Sequence, residues 1–112
     1  MMPGIRQHKS ASLRVAIPEG MPEDLSSQLR ELLSVKSEFK RNGEATALMY
    51  QVTSEADFAW MVLFLHVKPF EDGITEEQLI KFYRKFGFEV VQTDPVLLMS
   101  RLPARPKLAR VN

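Results

Sequence analysis

Apolar positions along the chain follow two spacings, one typical of strands and one typical of helices. Residues 13–17 alternate apolar with polar or small side chains, which predicts a strand. Residues 61–67 form a short, almost uniformly apolar run, which predicts a buried strand covered on both faces, as in parallel sheets. Residues 88–93 and 96–101 flank the turn signal Asp94-Pro95 and predict a hairpin.

Two segments have the apolar spacing of amphipathic helices. The first follows Gly43 and has one apolar stripe, made of Ala45, Leu48, Met49, Val52, Ala56 and Ala59. The second begins at a capping box formed by Thr75 and Gln78 and ends at Gly87, which suits the left-handed position after a helix. Helices that alternate with strands predict an α/β (α+β) fold, in which a mixed central sheet has helices packed on its faces.

Residues 23–35 fit two different elements. Leu25, Leu29 and Leu32 fall at the spacing of a helix that would continue through Leu33. Alternatively, a short helix over residues 23–27 precedes a strand that leads into the polar turn before Gly43. The apolar spacing by itself favours the long helix, so both possibilities stay open at this point.

Size and composition narrow the class of protein. A chain of 112 residues is expected to form one domain. It has no cysteine, which excludes a disulfide scaffold, a thiolate metal site and a cysteine nucleophile, and its two histidines are too few for a histidine-rich metal site. No apolar run reaches the ~18 residues of a membrane span, and no apolar segment follows the first charges. We therefore expect a cytoplasmic protein that binds neither a metal nor a membrane.

Charge separates the two ends from the body of the chain. Residues 1–12 and 102–112 hold five basic and no acidic residues, and setting these five aside changes the net charge from +1 to −4. A mildly acidic body argues against a nucleic-acid-binding module, whose contact face is basic. We expect disordered tails over residues 1–12 and 102–112, on either side of a single domain over residues 13–101.

The segment before the first long helix has the features of an anion-binding turn. A short apolar run is followed by a polar turn, and the helix opens directly after Gly43. The first N–H groups of a helix lack intrahelical partners and, with the helix dipole, attract anions. Gly43 and Ala45 are small enough for a phosphate to approach the backbone closely, and Lys40 and Arg41 add positive charge. An ordinary turn with exposed basic residues would have the same composition.

Two stretches resemble motifs of the GNAT-type N-acetyltransferases. Residues 40–45, Lys-Arg-Asn-Gly-Glu-Ala, resemble the pyrophosphate-loop motif Gln/Arg-x-x-Gly-x-Gly/Ala, with Lys40 where Gln or Arg is usual. Residues 82–88, Phe-Tyr-Arg-Lys-Phe-Gly-Phe, resemble the Phe-Tyr-x-x-x-Gly-Phe end of a later helix. The resemblance covers about residues 31–101. Because a strand leads into the loop in this family, it favours a strand over residues 29–35.

The resemblance implies acetyl transfer from acetyl-coenzyme A (acetyl-CoA) to an amine acceptor, either a small molecule or a protein. In the family, a strand hydrogen-bonds the pantetheine arm of the cofactor, and amides of the following loop bind its pyrophosphate. The matching positions are Leu33, Ser34 and Val35 on the strand, and Lys40, Arg41, Asn42, Gly43, Glu44, Ala45 and Thr46 in the loop. Tyr83 matches a tyrosine that serves as general acid toward the leaving thiolate. By helical spacing alone, Tyr83 is a core aromatic.

A general base is also needed, because the attacking amine must lose a proton. Glu31 and Glu38 flank the strand where bases of the family are often found, and Glu38 is our candidate because it lies nearer the turn. Either glutamate is equally consistent with a solvated surface charge. His66 lies on an apolar strand, where a satisfied sheet residue is the simpler interpretation.

Besides Lys40, the chain departs from the family pattern in three respects, one of which is a longer loop over residues 68–73. Glu76 stands about where the family has an asparagine, and the amino-terminal helices that commonly form the acceptor pocket are largely missing. Recognition of the acceptor is then minimal, absent or supplied by a partner subunit. We consider a homodimer, because it would cover the exposed edge of the sheet and exposed apolar surface. The alternatives to an N-acetyltransferase are a non-catalytic module of the same fold that binds a protein partner, and an unrelated α/β domain.

Overall fold

A six-stranded mixed sheet organises the protein. The computed structural model describes residues 1–36, 43–68 and 74–104. The helices and strands in chain order are β1 (Gly4–His8), β2 (Ala11–Ala16), α1 (Glu23–Ser26), β3 (Leu29–Lys36), α2 (Glu44–Ala59), β4 (Val62–His66), α3 (Glu76–Arg84), β5 (Glu89–Gln92) and β6 (Leu98–Arg101). Across the sheet the order is β1-β2-β3-β4-β6-β5, with β3 and β4 parallel and the other neighbouring pairs antiparallel. The predicted mixed sheet with helices is confirmed.

The core lies on one face of this sheet. Alternate residues of β2 and β4 are buried there, and Leu13, Leu63 and Leu65 are at most 2% exposed. The predicted apolar stripe of α2 belongs to the same buried cluster through Leu48, Met49, Val52 and Ala56. Full burial of each large apolar side chain contributes about 1.5–3 kcal/mol, so this stripe is the main reason that α2 docks on the sheet.

The other face of the central strands is only partly covered. Phe64 and His66 are half-buried, whereas Leu65 between them is fully buried. The prediction that residues 61–67 are covered on both faces is therefore wrong. One face of β4 packs into the core, and the other borders an open groove.

The contested segment over residues 23–35 contains a helix of one turn followed by a strand. α1 ends at Ser26, and β3 pairs with β2 on one side and with β4 on the other. The strand prediction is confirmed, and a helix continuing to Leu33 is wrong. Pairing on both sides satisfies the backbone groups of β3 in the middle of the sheet, which outweighs the helical spacing of the leucines.

The prediction of a disordered tail over residues 1–12 is wrong, because residues 4–8 form β1. This strand pairs along its whole length with β2, and Arg6 forms two hydrogen bonds with Glu55 of α2, at 3.1 and 2.7 Å. Its stability comes from backbone pairing and this ion pair rather than from apolar burial, so no hydrophobic pattern marks it in the sequence. The folded unit thus includes residues well before residue 13.

The last described strand, β6, ends at Arg101. Of the predicted tail over residues 102–112, residues 105–112 lie outside the described residues. Within the described part of the chain, no helix has both the length and the apolar character needed to cross a lipid bilayer.

Candidate functional site

The central feature of the site is a gap that opens between the two parallel strands. β3 and β4 pair from Leu29 opposite Val62 to Leu32 opposite Leu65, and the pairing stops there. β3 nevertheless continues to Lys36, still paired with β2. Beyond Leu32 the two strands therefore diverge, and the edge of β3 that faces β4 has no strand partner among the described residues.

A bulge in β3 accompanies this divergence. Leu33 lies opposite Arg14 and Lys36 lies opposite Ser12, so three steps along β3 span two steps along β2. Ser34 lies within this bulge and has a φ of 55°, in the left-handed region that residues other than glycine rarely adopt. Such a bulge bends a strand and re-aims its backbone groups. Here it does so at the point where β3 leaves β4.

The gap leads into a cavity of about 420 Å³, which we call the cleft. Its lining residues are Glu31, Leu32, Leu33, Ser34, Val35, His66, Lys68 and Tyr83. The structure thus brings the three predicted strand residues and the predicted tyrosine together, although they are about fifty positions apart in the chain. The cleft is therefore where four of the sequence-predicted site residues meet, whereas Gly43, Glu44, Ala45 and Thr46 do not line it.

Tyr83 lies on the wall of the cleft formed by α3. Its side chain is 4% exposed and packs edge-to-face against Phe82 and Phe88, with ring centroids 5.3 and 5.9 Å away. Burial raises the pKa of the Tyr83 phenol to about 12. The phenol therefore stays protonated at neutral pH and can donate a hydrogen bond into the cleft. Tyr83 is thus both a core aromatic and a lining residue.

The start of α2 carries the predicted anion-binding turn. Gly43 is the residue before the first helical turn, with a φ of 79° and no side chain to cap the helix. Among the described residues, no atom lies within 4 Å of the position that a Cβ of Gly43 would take. The turn residues Lys40, Arg41 and Asn42, and the candidate base Glu38, lie outside the described residues.

Glu44, the first residue of α2, is held by the turn between β1 and β2. Its carboxylate accepts hydrogen bonds from the backbone N–H of Ser10, at 2.7 Å, and from the Ser10 hydroxyl. These hydrogen bonds, chiefly that of the hydroxyl, lower the pKa of Glu44. Ala45 and Thr46 follow in the first turn of the helix and are half-buried. The β1–β2 hairpin therefore holds the first residue of α2 in place.

A second cavity adjoins the cleft on the open face of the sheet. This groove has a volume of about 900 Å³ and is lined by residues of β2, β3 and β4 and of the segment after β2. Glu31, Leu33 and His66 line both the groove and the cleft. The two cavities are therefore neighbours, and these three residues form the boundary between them.

His66 and Glu31 form a pair that the sequence analysis did not connect. The His66 Nε2 atom lies 3.9 Å from the Glu31 Oε2 atom. Because Glu31 lies opposite Phe64 in the parallel pair, a residue two positions after Phe64 is on the same face of the sheet. That register is the signal that could have linked the two residues, but it requires the pairing of β3 with β4. No group of three or more acidic or histidine side chains suited to a metal ion occurs in the described ranges.

Comparisons with known proteins find similarity in structure only. Neither a protein-family model nor a curated protein matches the sequence. The anti-CRISPR protein AcrVA5 superposes with a TM-score of 0.68 at 24% identity, over 89% of this chain and 98% of that one. An aminoglycoside 6′-N-acetyltransferase complexed with coenzyme A gives a TM-score of 0.63 at 16% identity, over 87% of this chain and 68% of that one.

A third solved structure, Ard1 from Thermoplasma volcanium, gives a TM-score of 0.58 at 20% identity. The match covers 86% of this chain and 64% of Ard1. Identities this low establish the fold and nothing finer. Together with the parallel strands that diverge at Leu32 and the helix that begins after Gly43, the matches show that this short chain has the fold of the GNAT-type N-acetyltransferases.

Proposed function

We propose that the protein is an acetyl-CoA-dependent N-acetyltransferase that transfers the acetyl group directly to an amine. The observation that carries this proposal is the cleft between β3 and β4, which places the bulged backbone of residues 33–35 beside Tyr83. The likeness to an N-acetyltransferase complexed with coenzyme A supports it. The acceptor would reach the cleft from the adjoining groove.

Two parts of this chain have groups that suit acetyl-CoA: the edge of β3 and the start of α2. The unpaired edge of β3 offers backbone N–H and C=O groups to an extended amide-containing arm, as a further strand would. At the start of α2, no described side chain caps the helix, and the positive end of the helix dipole would attract a diphosphate there. This part of the proposal also includes Lys40, Arg41 and Asn42, which the sequence motif assigns to binding of the cofactor pyrophosphate. When bound, acetyl-CoA supplies an activated thioester for the transfer.

Tyr83 is proposed to act on the leaving sulfur. A thiol has an ordinary pKa of about 8.5, so complete proton transfer from a phenol of pKa about 12 would be uphill by about 5 kcal/mol. A hydrogen bond from the neutral phenol avoids that cost and still stabilises negative charge as it develops on sulfur. We therefore assign Tyr83 as a hydrogen-bond donor to the thiolate, which is a narrower role than the general acid expected from the sequence.

Coenzyme A binding is the first test of the proposal. A ligand present at 100 times its dissociation constant stabilises the folded state by about 2.7 kcal/mol, so we expect a clear rise in melting temperature. Isothermal titration calorimetry then gives the affinity. A wild-type protein that is not stabilised by millimolar coenzyme A would contradict the proposal.

A pair of glycine variants locates the binding site. Gly43→Asp puts a bulky negative charge where the diphosphate would lie and should abolish binding. Gly20→Asp is the matched control for cofactor binding, because Gly20 also has a positive φ and no atom within 4 Å of its Cβ position but lies in the turn after β2, beside the groove and not at the start of α2. Equal affinities of the two variants would show that α2 does not bind the cofactor. Binding without amine-stimulated thiol release would favour the non-catalytic module.

A further inference from the structure

We propose that His66 is the general base of the transfer and that Glu31 supports it by stabilising the imidazolium ion. This assignment rests on the proposed function and adds the proton acceptor that the described part of the cleft must supply. It replaces the simpler interpretation of His66 as a satisfied sheet residue.

An alkyl amine is protonated at neutral pH, with an ordinary pKa of about 10.4, and must lose a proton before it can attack. The described titratable residues that line the cleft are Glu31, His66, Lys68 and Tyr83. A lysine ammonium has no acceptor lone pair, and the neutral phenol of Tyr83 is a donor. Glu31 and His66 are left as the groups that can accept a proton.

The position of His66 suits it better than Glu31 for direct contact with the amine. It is the last residue of β4, just beyond the point where β3 and β4 separate. Its side chain lines the cleft, the groove and a third cavity of about 410 Å³ beside the β5–β6 hairpin. An amine that enters by the groove and attacks a thioester in the cleft must therefore pass His66.

Glu31 is placed to act through the imidazole. Its side chain is 19% exposed against 35% for His66, and the 3.9 Å between the two groups suits an ion pair better than a direct hydrogen bond. Among the described residues, His66 is also the only ion-pair partner of Glu31. The nearby Arg30 is engaged elsewhere, since its guanidinium donates to the backbone carbonyls of Met1, Ser26 and Leu29. The carboxylate is thus available to offset the charge that forms on His66.

The proton balance of the step is complete without further reactants. The ammonium gives one proton to the imidazole of His66, which later releases it to solvent through the groove. The amine nitrogen attacks the acetyl carbon and the carbon–sulfur bond breaks. The second proton passes from nitrogen to the departing sulfur, which gives the free thiol. The products are the acetylated amine, coenzyme A and one proton in solution.

Two amines of different basicity test the role of His66. n-Butylamine is protonated at neutral pH and needs a base, whereas hydroxylamine is unprotonated and does not. We expect His66→Ala to lower thiol release from acetyl-CoA by about 10²–10⁴-fold with n-butylamine and far less with hydroxylamine. Added imidazole should restore part of the n-butylamine rate in His66→Ala. A merely structural role would affect both amines equally and would not respond to imidazole.

Glu31→Gln should lower the n-butylamine rate by a smaller factor, without rescue by imidazole. Glu89→Gln is the matched control, because Glu89 is an exposed glutamate on the edge strand β5, away from both cavities. Coenzyme A affinity, measured by calorimetry, should be unchanged in all three variants. In the wild-type complex with coenzyme A, n-butylamine should shift the NMR signals of the His66 ring, identified by their loss in His66→Ala.

Several results would overturn the assignment. One is an n-butylamine rate in His66→Ala equal to that of wild type. Others are an equal loss with both amines, or ring signals of His66 that do not respond to n-butylamine. Thiol release that neither amine stimulates in a wild-type protein that binds coenzyme A would contradict the proposed transferase activity, and the assignment with it. If coenzyme A does not bind at all, the proposed function itself is contradicted.

Discussion

Arg101 and Asp57 are joined by two parallel hydrogen bonds, from Nη1 to Oδ1 at 2.8 Å and from Nη2 to Oδ2 at 3.0 Å. Arg101 is 7% exposed, and its Nε atom also donates to the Phe86 carbonyl at 2.5 Å. Asp57 lies near the end of α2, and Phe86 follows α3. This guanidinium therefore connects α2, the helix that follows Gly43, with α3, the helix that carries Tyr83.

Removal of the guanidinium should destabilise the fold. Arg101→Met leaves the Asp57 carboxylate and the Phe86 carbonyl without their donor, and breaking a buried pair from one side costs about 3–5 kcal/mol. Because the Asp57 side chain is 25% exposed, we expect a smaller loss, about 2–3 kcal/mol, in the free energy of unfolding measured with urea. Arg84→Met is the control, since the Arg84–Glu89 pair is exposed and its loss should change stability by less than about 1 kcal/mol. Equal effects of the two substitutions would contradict this account.

Stability should fall in acid because of the same pair. Burial alone would raise the pKa of Asp57, but hydrogen bonds from Arg101 and the Ala104 N–H outweigh it and lower the pKa below its ordinary value. The hydrogen bonds from Arg6 likewise lower the pKa of Glu55. A carboxylate whose pKa is lower in the folded state stabilises that state above its unfolded pKa, and this contribution disappears as pH falls through the folded value.

We therefore expect the free energy of unfolding to be level from neutral pH down to about 5 and to drop below about 4. Asp57→Asn should be less stable than wild type at neutral pH and should show a shallower drop in acid. Urea unfolding at a series of pH values measures both. An acid slope that Asp57→Asn leaves unchanged would mean that other carboxylates produce it.

The elements that the sequence predicted correctly depend on nearby residues. The stripe of α2 and the capping box of α3 each lie within a few turns of chain, and the structure shows Thr75 and Gln78 bonded in both directions, at 2.9 and 3.1 Å. The strand over residues 29–35 was assigned through the family resemblance, because the local spacing favoured a helix. Local sequence patterns therefore predicted the helices more accurately than they predicted the register of the strands.

The features that the sequence did not predict depend on distant residues. β1 is held by Glu55, which is 49 positions from Arg6. The pairing of Glu31 with His66 exists only once β3 and β4 lie side by side. The left-handed conformation of Ser34 arises because β3 follows β2 while it leaves β4, and no glycine marks that position. These are consequences of strand register, which a single sequence does not encode locally.

Tyr83→Phe tests the hydroxyl without disturbing the packing of the ring. The variant keeps the aromatic contacts with Phe82 and Phe88 but removes the donor to the thiolate, so we expect a fall in kcat of about 10–100-fold. Coenzyme A affinity and the unfolding free energy should change little. The control is Tyr50→Phe, at the other tyrosine of the chain, which is 57% exposed on α2. An unchanged kcat in Tyr83→Phe would remove the hydroxyl from the mechanism.

Substitutions at Ser34 test whether the bulge forms the cofactor cleft. Glycine adopts a φ of 55° without strain, so Ser34→Gly should keep both the bulge and the affinity for coenzyme A. Valine is strongly disfavoured there, and a left-handed conformation costs a residue with a Cβ about 1–2 kcal/mol. Ser34→Val should either lose that much stability or straighten β3.

A straightened β3 would turn the backbone of residues 33–35 away from the cleft. Coenzyme A should then bind at least about tenfold more weakly to Ser34→Val, a loss of about 1.4 kcal/mol, as measured by calorimetry. Ser12→Val, on the opposing strand β2, is the control for adding the same side chain beside the bulge without forcing a change of φ. If Ser34→Val binds as tightly as Ser34→Gly, the left-handed residue is incidental to the cleft, and the divergence of β3 from β4 must be maintained by the rest of the sheet.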